Sequence, residues 1–222
     1  MKKIIILGGK GTPVVIAEQI LNAINKFNVK LELLGFAFDD ETFGKEINGI
    51  PVLEKTYNVY SKYKTYDDVY YIFSLYRSDL IQERIRLRDS FQIPMEKYIT
   101  FVHPLATVSQ SATMGFGNII LANVVVNPNV KIGNFNTFNS NSLVGHDTTM
   151  GDSNFIAGHT VIGSNLKIGS GNFFGLNCSV KNFVEMGNYN LIGMASNVIR
   201  NLSDYQIVVG NPAKEISKNN IQ

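Results

Sequence analysis

Three histidines and one cysteine carry most of the proton-transfer and nucleophilic chemistry open to this sequence at neutral pH: His103, His146, His159 and Cys178. Of these, His146 is followed directly by a carboxylate, Asp147. A carboxylate beside an imidazole can orient the ring and support its protonated form, as a general base requires. His103, in Val102-His103-Pro104, reads as a residue at a junction between two kinds of sequence, and His159 as a surface histidine. A second candidate is the glycine-rich turn Gly8-Gly9-Lys10-Gly11-Thr12, where backbone amides can approach a phosphate at the start of a helix. It is not a GxGxxG fingerprint and is weak alone. Asp39-Asp40 closes the next strand-like run and reads otherwise as a solvated turn.

The frame that must position His146 is a repeat. Stepping by six from Val108 gives Met114, Ile120, Val126, Ile132, Phe138, Val144, Met150, Ile156, Ile162, Ile168, Phe174, Val180, Met186, Ile192 and Val198, all apolar. Chance would produce this roughly a few times in a million, and neither a helix nor a lone strand has that period. Inside it runs a period of eighteen: Gly115, Gly133, Gly151, Gly169 and Gly187, each with an asparagine three residues on, Asn118, Asn136, Asn154, Asn172 and Asn190. Three sixes make a coil with three flat sides, hence a triangular parallel β-helix of five coils, about 24 Å tall. The glycines should mark a corner where φ is positive, and the asparagines should stack into a ladder of amides. His146 comes two places after the inward Val144 and just past a corner glycine, so its side chain should leave the prism. Cys178 falls at an inward position.

Residues 1–97 have a different grammar. Lys3-Ile4-Ile5-Ile6-Leu7 reads as a buried strand, Thr12 and Pro13 as the cap and first residue of a helix reaching Phe27, Leu31–Phe38 and Val69–Ser74 as further strands, and Asp79–Phe91 as a helix. Alternating strands and helices predict a parallel sheet of Rossmann type. Arg84, Arg86 and Arg88 read as the solvated face of that last helix. A net charge of +2 gives no ground for a nucleic-acid or membrane partner, and a single cysteine fits a cytoplasmic protein.

The unbroken repeat, the segment Ser142-Leu143-Val144-Gly145-His146-Asp147 and the closing Val209-Gly210-Asn211-Pro212-Ala213-Lys214 resemble the hexapeptide-repeat, left-handed β-helix acyltransferases. The resemblance is greatest to the bacterial nucleotide-amino-sugar N-acetyltransferases and sialic-acid O-acetyltransferases, and it covers nearly the whole chain. It implies a Rossmann-like nucleotide-sugar-binding domain at 1–97 and a left-handed β-helix acetyltransferase domain at 98–222, ending in a CoA-contacting loop. It also implies a homotrimer with active sites between subunits.

In that resemblance His146 is the general base and Asp147 its acidic neighbour. Acetyl-CoA, the implied cosubstrate, would meet Phe155, Ser164, Leu176, Met194, Asn211, Pro212 and Lys214. Some relatives carry a second histidine where Phe155 stands. The nucleotide sugar would meet Gly8, Gly9, Lys10, Gly11, Asp39, Asp40 and Arg77. The glycine turn is a residue shorter than the family's and lacks its usual histidine, a loss that Lys10 could offset. Ser74-Leu75-Tyr76-Arg77 replaces a Gly-Asn-Asn type of loop. No metal is expected. The implied reaction is N-acetylation of a nucleotide-linked amino sugar for surface glycans, by direct attack on the thioester. O-acetylation of a sugar such as sialic acid, a non-catalytic scaffold and a sugar-nucleotide binding module are the alternatives.

Overall fold

The computed structural model of the chain describes residues 1–219; the end of the 98–222 stretch, residues 220–222, lies outside the described residues. The N-terminal strands β1 (Lys2–Leu7), β2 (Leu31–Ala37), β4 (Ile50–Glu54) and β5 (Val69–Phe73) form a parallel sheet, with β3 (Glu46–Ile47) antiparallel at its edge, in the order β3-β4-β2-β1-β5. Ile4 to Leu7 are all buried because both faces of β1 are covered, which is why that strand is an unbroken apolar run. Ile4 and Ile6 pack with Ile16, Ala17 and Ile20 of α1 (Thr12–Phe27), and Ile5 and Leu7 with Val59 of α2 (Thr56–Tyr63) and Phe91 at the end of α3 (Ile81–Ser90).

Two local readings need correction. Thr12 is not the cap of α1: it is the first helical residue, and Gly11, at φ 72°, precedes it with no side-chain cap. The turn needs that left-handed backbone, which glycine adopts without a Cβ clash. Residues 46–63 also hold a hairpin and a helix that the strand signals did not separate. Asn48-Gly49, both at positive φ, close the hairpin between Ile47 and Ile50.

From Phe101 the chain winds as a triangular prism. Its three walls are parallel sheets of two-residue strands: a six-stranded wall, a five-stranded wall, and an eight-stranded wall whose last strand, Lys214–Lys218, returns antiparallel against Gln206–Val209. The inward column packs into one core from Val108 to Val198, with Phe138 and Phe174 fully buried; each such side chain contributes about 2 kcal/mol. The prism is longer than five coils. Phe101–Val102 already pairs with Ile119–Ile120, and Gln206–Val209 adds a last rung after a turn shortened to sixteen residues.

The asparagine ladder is built as the spacing predicts. Asn154 Nδ2 donates to Asn136 Oδ1 at 2.9 Å, and Asn154 Oδ1 in turn accepts from the Asn172 N–H at 2.8 Å and its Nδ2 at 3.0 Å. The corner glycines are explained differently. Gly115, Gly133, Gly151, Gly169 and Gly187 do not have positive φ. A Cβ on Gly151 would lie 2.4 Å from Ser170 Oγ and 3.0 Å from the Gly169 carbonyl, so these glycines let one coil approach the next. The left-handed residue lies two places on, at Gly117, Phe135, Ser153, Gly171 and Tyr189.

The sheet is docked on the eight-stranded wall. Phe101, Ile119 and Leu121 join the α1 core, while Phe135 joins the α2–α3 core. Gln19 of α1 bridges the Ser140 hydroxyl at 3.0 Å and the Ala122 N–H at 2.8 Å. The arginines of α3 are therefore not one solvated face. Arg86 is exposed, but Arg88 lies 3.9 Å over the Phe135 ring and Arg84 is largely covered, because α3 has the prism on one side.

Candidate active site

His146 and Asp147 sit at the corner between the six- and five-stranded walls, after Leu143–Val144 and before Thr149–Met150. Asp147 takes the left-handed corner position at φ 58°, a conformation Asp and Asn tolerate. That turn sends both side chains outward, 54% and 45% exposed, with His146 Nδ1 at 2.7 Å from Asp147 Oδ2. The imidazole hydrogen bond, and after it one from Asn129, hold the Asp147 carboxyl below the ordinary carboxylate range. With Nδ1–H donating to this carboxylate, Nε2 faces outward as the proton acceptor. Ser164 is the same corner residue one coil on, and its N–H is taken by Asn182 Oδ1 at 2.9 Å.

The other residues expected to meet the cofactor lie along a different edge. Leu176 and Met194 follow one another up the corner between the eight- and six-stranded walls; the Ala195 N–H bonds the Leu176 carbonyl, and both side chains are exposed. Above them the 211–214 loop is tied to Asn197 by the Ala213 N–H at 2.8 Å. Phe155 opens a strand of the eight-stranded wall; its ring stacks with Tyr76, 4.5 Å away, and Phe173, 5.5 Å away, and those two rings are also stacked at 6.2 Å. A cleft of about 490 Å³ is lined by Phe155, Phe173, Leu176, His159, Asn139 and Val15 of α1, among others. Phe155 and Leu176 thus meet in one cleft, while His146, Asp147 and Ser164 stand on the next edge of the prism.

The residues expected to hold a nucleotide come together at the C-terminal ends of β1, β2 and β5. A cleft of about 530 Å³ there is lined by Gly9, Lys10, Asp39, Asp40, Tyr76, Arg77 and Arg84, among others. Gly8 and Gly11 shape the turn but do not line the cleft. The two aspartates have separate tasks. Asp39 accepts from the Thr56 N–H at 2.9 Å and hydroxyl at 2.5 Å, anchoring the start of α2. Asp40 accepts from the Thr42 hydroxyl at 2.6 Å and N–H at 3.0 Å, which lower its pKa. Arg77 is held by Asp79, Nε to Oδ1 at 3.1 Å and a second contact at 2.5 Å.

No family model and no curated protein matches this sequence. Solved structures match it closely in shape. A histidine-to-asparagine variant of perosamine N-acetyltransferase from Caulobacter crescentus, in complex with CoA and GDP-perosamine, superposes with a TM-score of 0.82 over 98% of each chain at 20% identity. The acetyltransferase domain of PglB from Neisseria gonorrhoeae, in complex with acetyl coenzyme A, gives 0.80 over 97% of this chain and 99% of that one, at 21% identity. WeeI from Acinetobacter baumannii gives 0.76 over 97% and 100%, also at 21%. This chain has the fold that these three structures share.

Within that fold, several residues near the clefts escape a reading of the sequence. Asn129 supports Asp147 from eighteen residues before it, and Phe173 extends the Phe155 stack from eighteen residues after it. The coil period alone would have found both. Arg84, in the cleft over β1, β2 and β5, has no such signal, because its helix carries no repeat. Among the described residues no group of His, Cys, Asp or Glu is placed to hold a metal ion, and no helix is long and apolar enough to cross a membrane.

Proposed function

We propose that this protein transfers the acetyl group of acetyl-CoA to the amino group of a nucleotide-linked sugar. The observation that carries this is the His146–Asp147 pair, an imidazole with its Nδ1 on a carboxylate and Nε2 at the surface, on a fold shared with N-acetyltransferases. The sugar amine must give up a proton as its nitrogen attacks the thioester carbon, and Nε2 of His146 receives it. The new C–N bond forms, the C–S bond breaks, and the proton passes to the CoA sulfur. Attack is direct, because Cys178 is buried inside the prism with its thiol pushed up to about 11 by burial.

The two clefts divide the substrates. The cleft over β1, β2 and β5 takes the nucleotide, at the crevice where strand order reverses, as a Rossmann-like domain at 1–97 would. The CoA arm lies along the edge marked by Leu176, Met194 and the 211–214 loop of the left-handed β-helix at 98–222. Because His146 stands on a different edge, a complete site needs the base edge of one copy against the cofactor edge of another. A homotrimer supplies this three times, and the exposed Val161, Leu176, Phe183 and Met194 give it apolar surface to bury. The enzyme works in the cytoplasm, where acetyl-CoA and nucleotide sugars occur together.

The test is release of free CoA from acetyl-CoA in the presence of UDP-, GDP- or dTDP-linked amino sugars. Turnover with one of them supports the reading. Release with sialic acid but with no amino sugar replaces it with O-acetylation, and no release with any acceptor points to a scaffold or binding module.

A further inference from the structure

The nucleotide cleft contains a guanidinium that the strand-end loops do not supply. Arg84 lies in the first turn of α3, with its backbone N–H on the Leu80 carbonyl at 2.9 Å. Its side chain is 22% exposed and lines both the 530 Å³ cleft and a cavity of about 20 Å³ beneath Tyr76. Its Nε is buried without a hydrogen-bond partner, and its one carboxylate contact among the described residues is Glu83, at 3.9 Å. A covered donor left unpaired is costly, so such groups mark places where a partner is expected.

The charges around it decide what that partner is. Asp39 is committed to Thr56, Asp40 to Thr42, and Arg77 to Asp79. Lys10 and Arg84 are the cleft-lining cations outside a close ion pair among the described residues, and they come from different elements: Lys10 from the turn after β1, Arg84 from α3. The N–H groups of Gly9, Lys10 and Gly11 have no acceptor among the described residues and precede the sixteen-residue α1. Anions bind well where free amides open a helix. Planar guanidinium donors match phosphate oxygens in pairs.

We infer that Arg84 is a phosphate-binding residue of this cleft, holding the diphosphate of a nucleotide together with the Gly8–Thr12 turn. The inference rests on the nucleotide-sugar reading above and extends it to a residue outside the strand-end loops.

Calorimetry with GDP, UDP and dTDP, against guanosine, uridine and thymidine, tests it on the full chain. Wild-type protein should bind one diphosphate much more tightly than its nucleoside. Arg84→Gln should weaken that diphosphate on the order of ten- to a hundredfold and leave the nucleoside unchanged. Arg84→Lys, which keeps the charge and loses the fork, should fall between. Arg86→Gln, on the exposed side of the same helix, should match wild type. Thermal unfolding of each variant checks that it is folded, and Arg84→Lys carries the test if Arg84→Gln is not. Wild-type diphosphate affinity in a folded Arg84→Gln overturns the role of Arg84 while the nucleotide reading stands. Equal weakening of diphosphate and nucleoside means a packing role and also overturns it. No diphosphate binding by wild-type protein removes the nucleotide reading and the Arg84 inference together.

Discussion

Asn129 Nδ2 donates to Asp147 Oδ1 at 2.9 Å, from the coil next to the one that carries His146. The Asn129 N–H is itself held by Ser111 Oγ at 3.0 Å. One corner of the prism thus carries a line of hydrogen bonds ending at the imidazole, with Asp147 Oδ2 left for Nδ1. Asn129 is a positioning residue in this arrangement. Asn129→Ala should lower kcat about tenfold with little change in KM. The bond from Asn129 is one of two that lower the Asp147 pKa, so its loss should raise that pKa, as read by NMR titration of the Asp147 carboxyl. An unmoved Asp147 titration in Asn129→Ala would show that Asn129 only fills the corner.

Loss of the proposed base gives a larger effect. His146→Ala should cut kcat/KM by about 10² to 10⁴ while leaving nucleotide binding intact. Asp147→Asn keeps the shape, removes the charge and offers an N–H where Nδ1–H now donates, so it should lose a large part of the same factor. Turnover of purified His146→Ala at the wild-type rate would move the base elsewhere.

The ladder predicts a stability difference between chemically similar substitutions. Asn154 is buried, and Asn154→Ala strips the Asn172 N–H and the Gly169 carbonyl of their bonds to its side chain. That should cost about 3 kcal/mol. Asn123→Ala removes an exposed bond to Asn141 at 3.2 Å and puts alanine at a φ of 61°, so it should cost about 1 kcal/mol, most of it backbone strain. Thermal unfolding of the two variants side by side reads the difference.

What was legible in the sequence follows from how local each constraint is. The coil period is written every six residues, so the walls, the asparagine ladder and the outward turn at His146–Asp147 could all be read from spacing. The corner glycines were legible as positions but not as physics. Only the contact of Gly151 with Ser170 and Gly169 of the next coil shows that close approach, not positive φ, selects glycine. Docking of the sheet on the prism was not legible at all. Tyr76 on Phe155 and Arg88 on Phe135 join residues 79 and 47 positions apart with no shared pattern, and each recruits a side chain that looked like surface or loop.

His103 gives the protein a pH-dependent stability. It is buried against Phe27 and Phe101, its Nδ1 accepts from the Leu105 N–H at 3.1 Å, and burial lowers its pKa. A lowered histidine pKa means that the unfolded chain takes the proton first as pH falls. Stability is therefore complete above the unfolded-state pKa and declines below it, from about pH 6.5 downward. His103→Asn keeps an acceptor near the Leu105 N–H and removes the titration. It should lower the thermal midpoint at pH 8 but flatten its fall between pH 7 and pH 5; an equally steep fall would assign the effect to other groups.

The separation of His146 from Leu176 and Met194 on different prism edges makes a prediction that needs two inactive proteins. His146→Ala damages the base edge and leaves the cofactor edge whole. Lys214→Glu reverses a charge on the proposed cofactor edge, repelling CoA phosphates, and leaves the base edge whole. If each site joins two copies, co-expressing the two variants in equal amounts should restore about a quarter of wild-type activity, since one interface in four pairs two intact edges. Each variant alone should stay inactive, and size-exclusion chromatography should show the same assembly for both. No recovery in the mixed assembly would mean that one chain reaches its own His146, against the geometry of the prism.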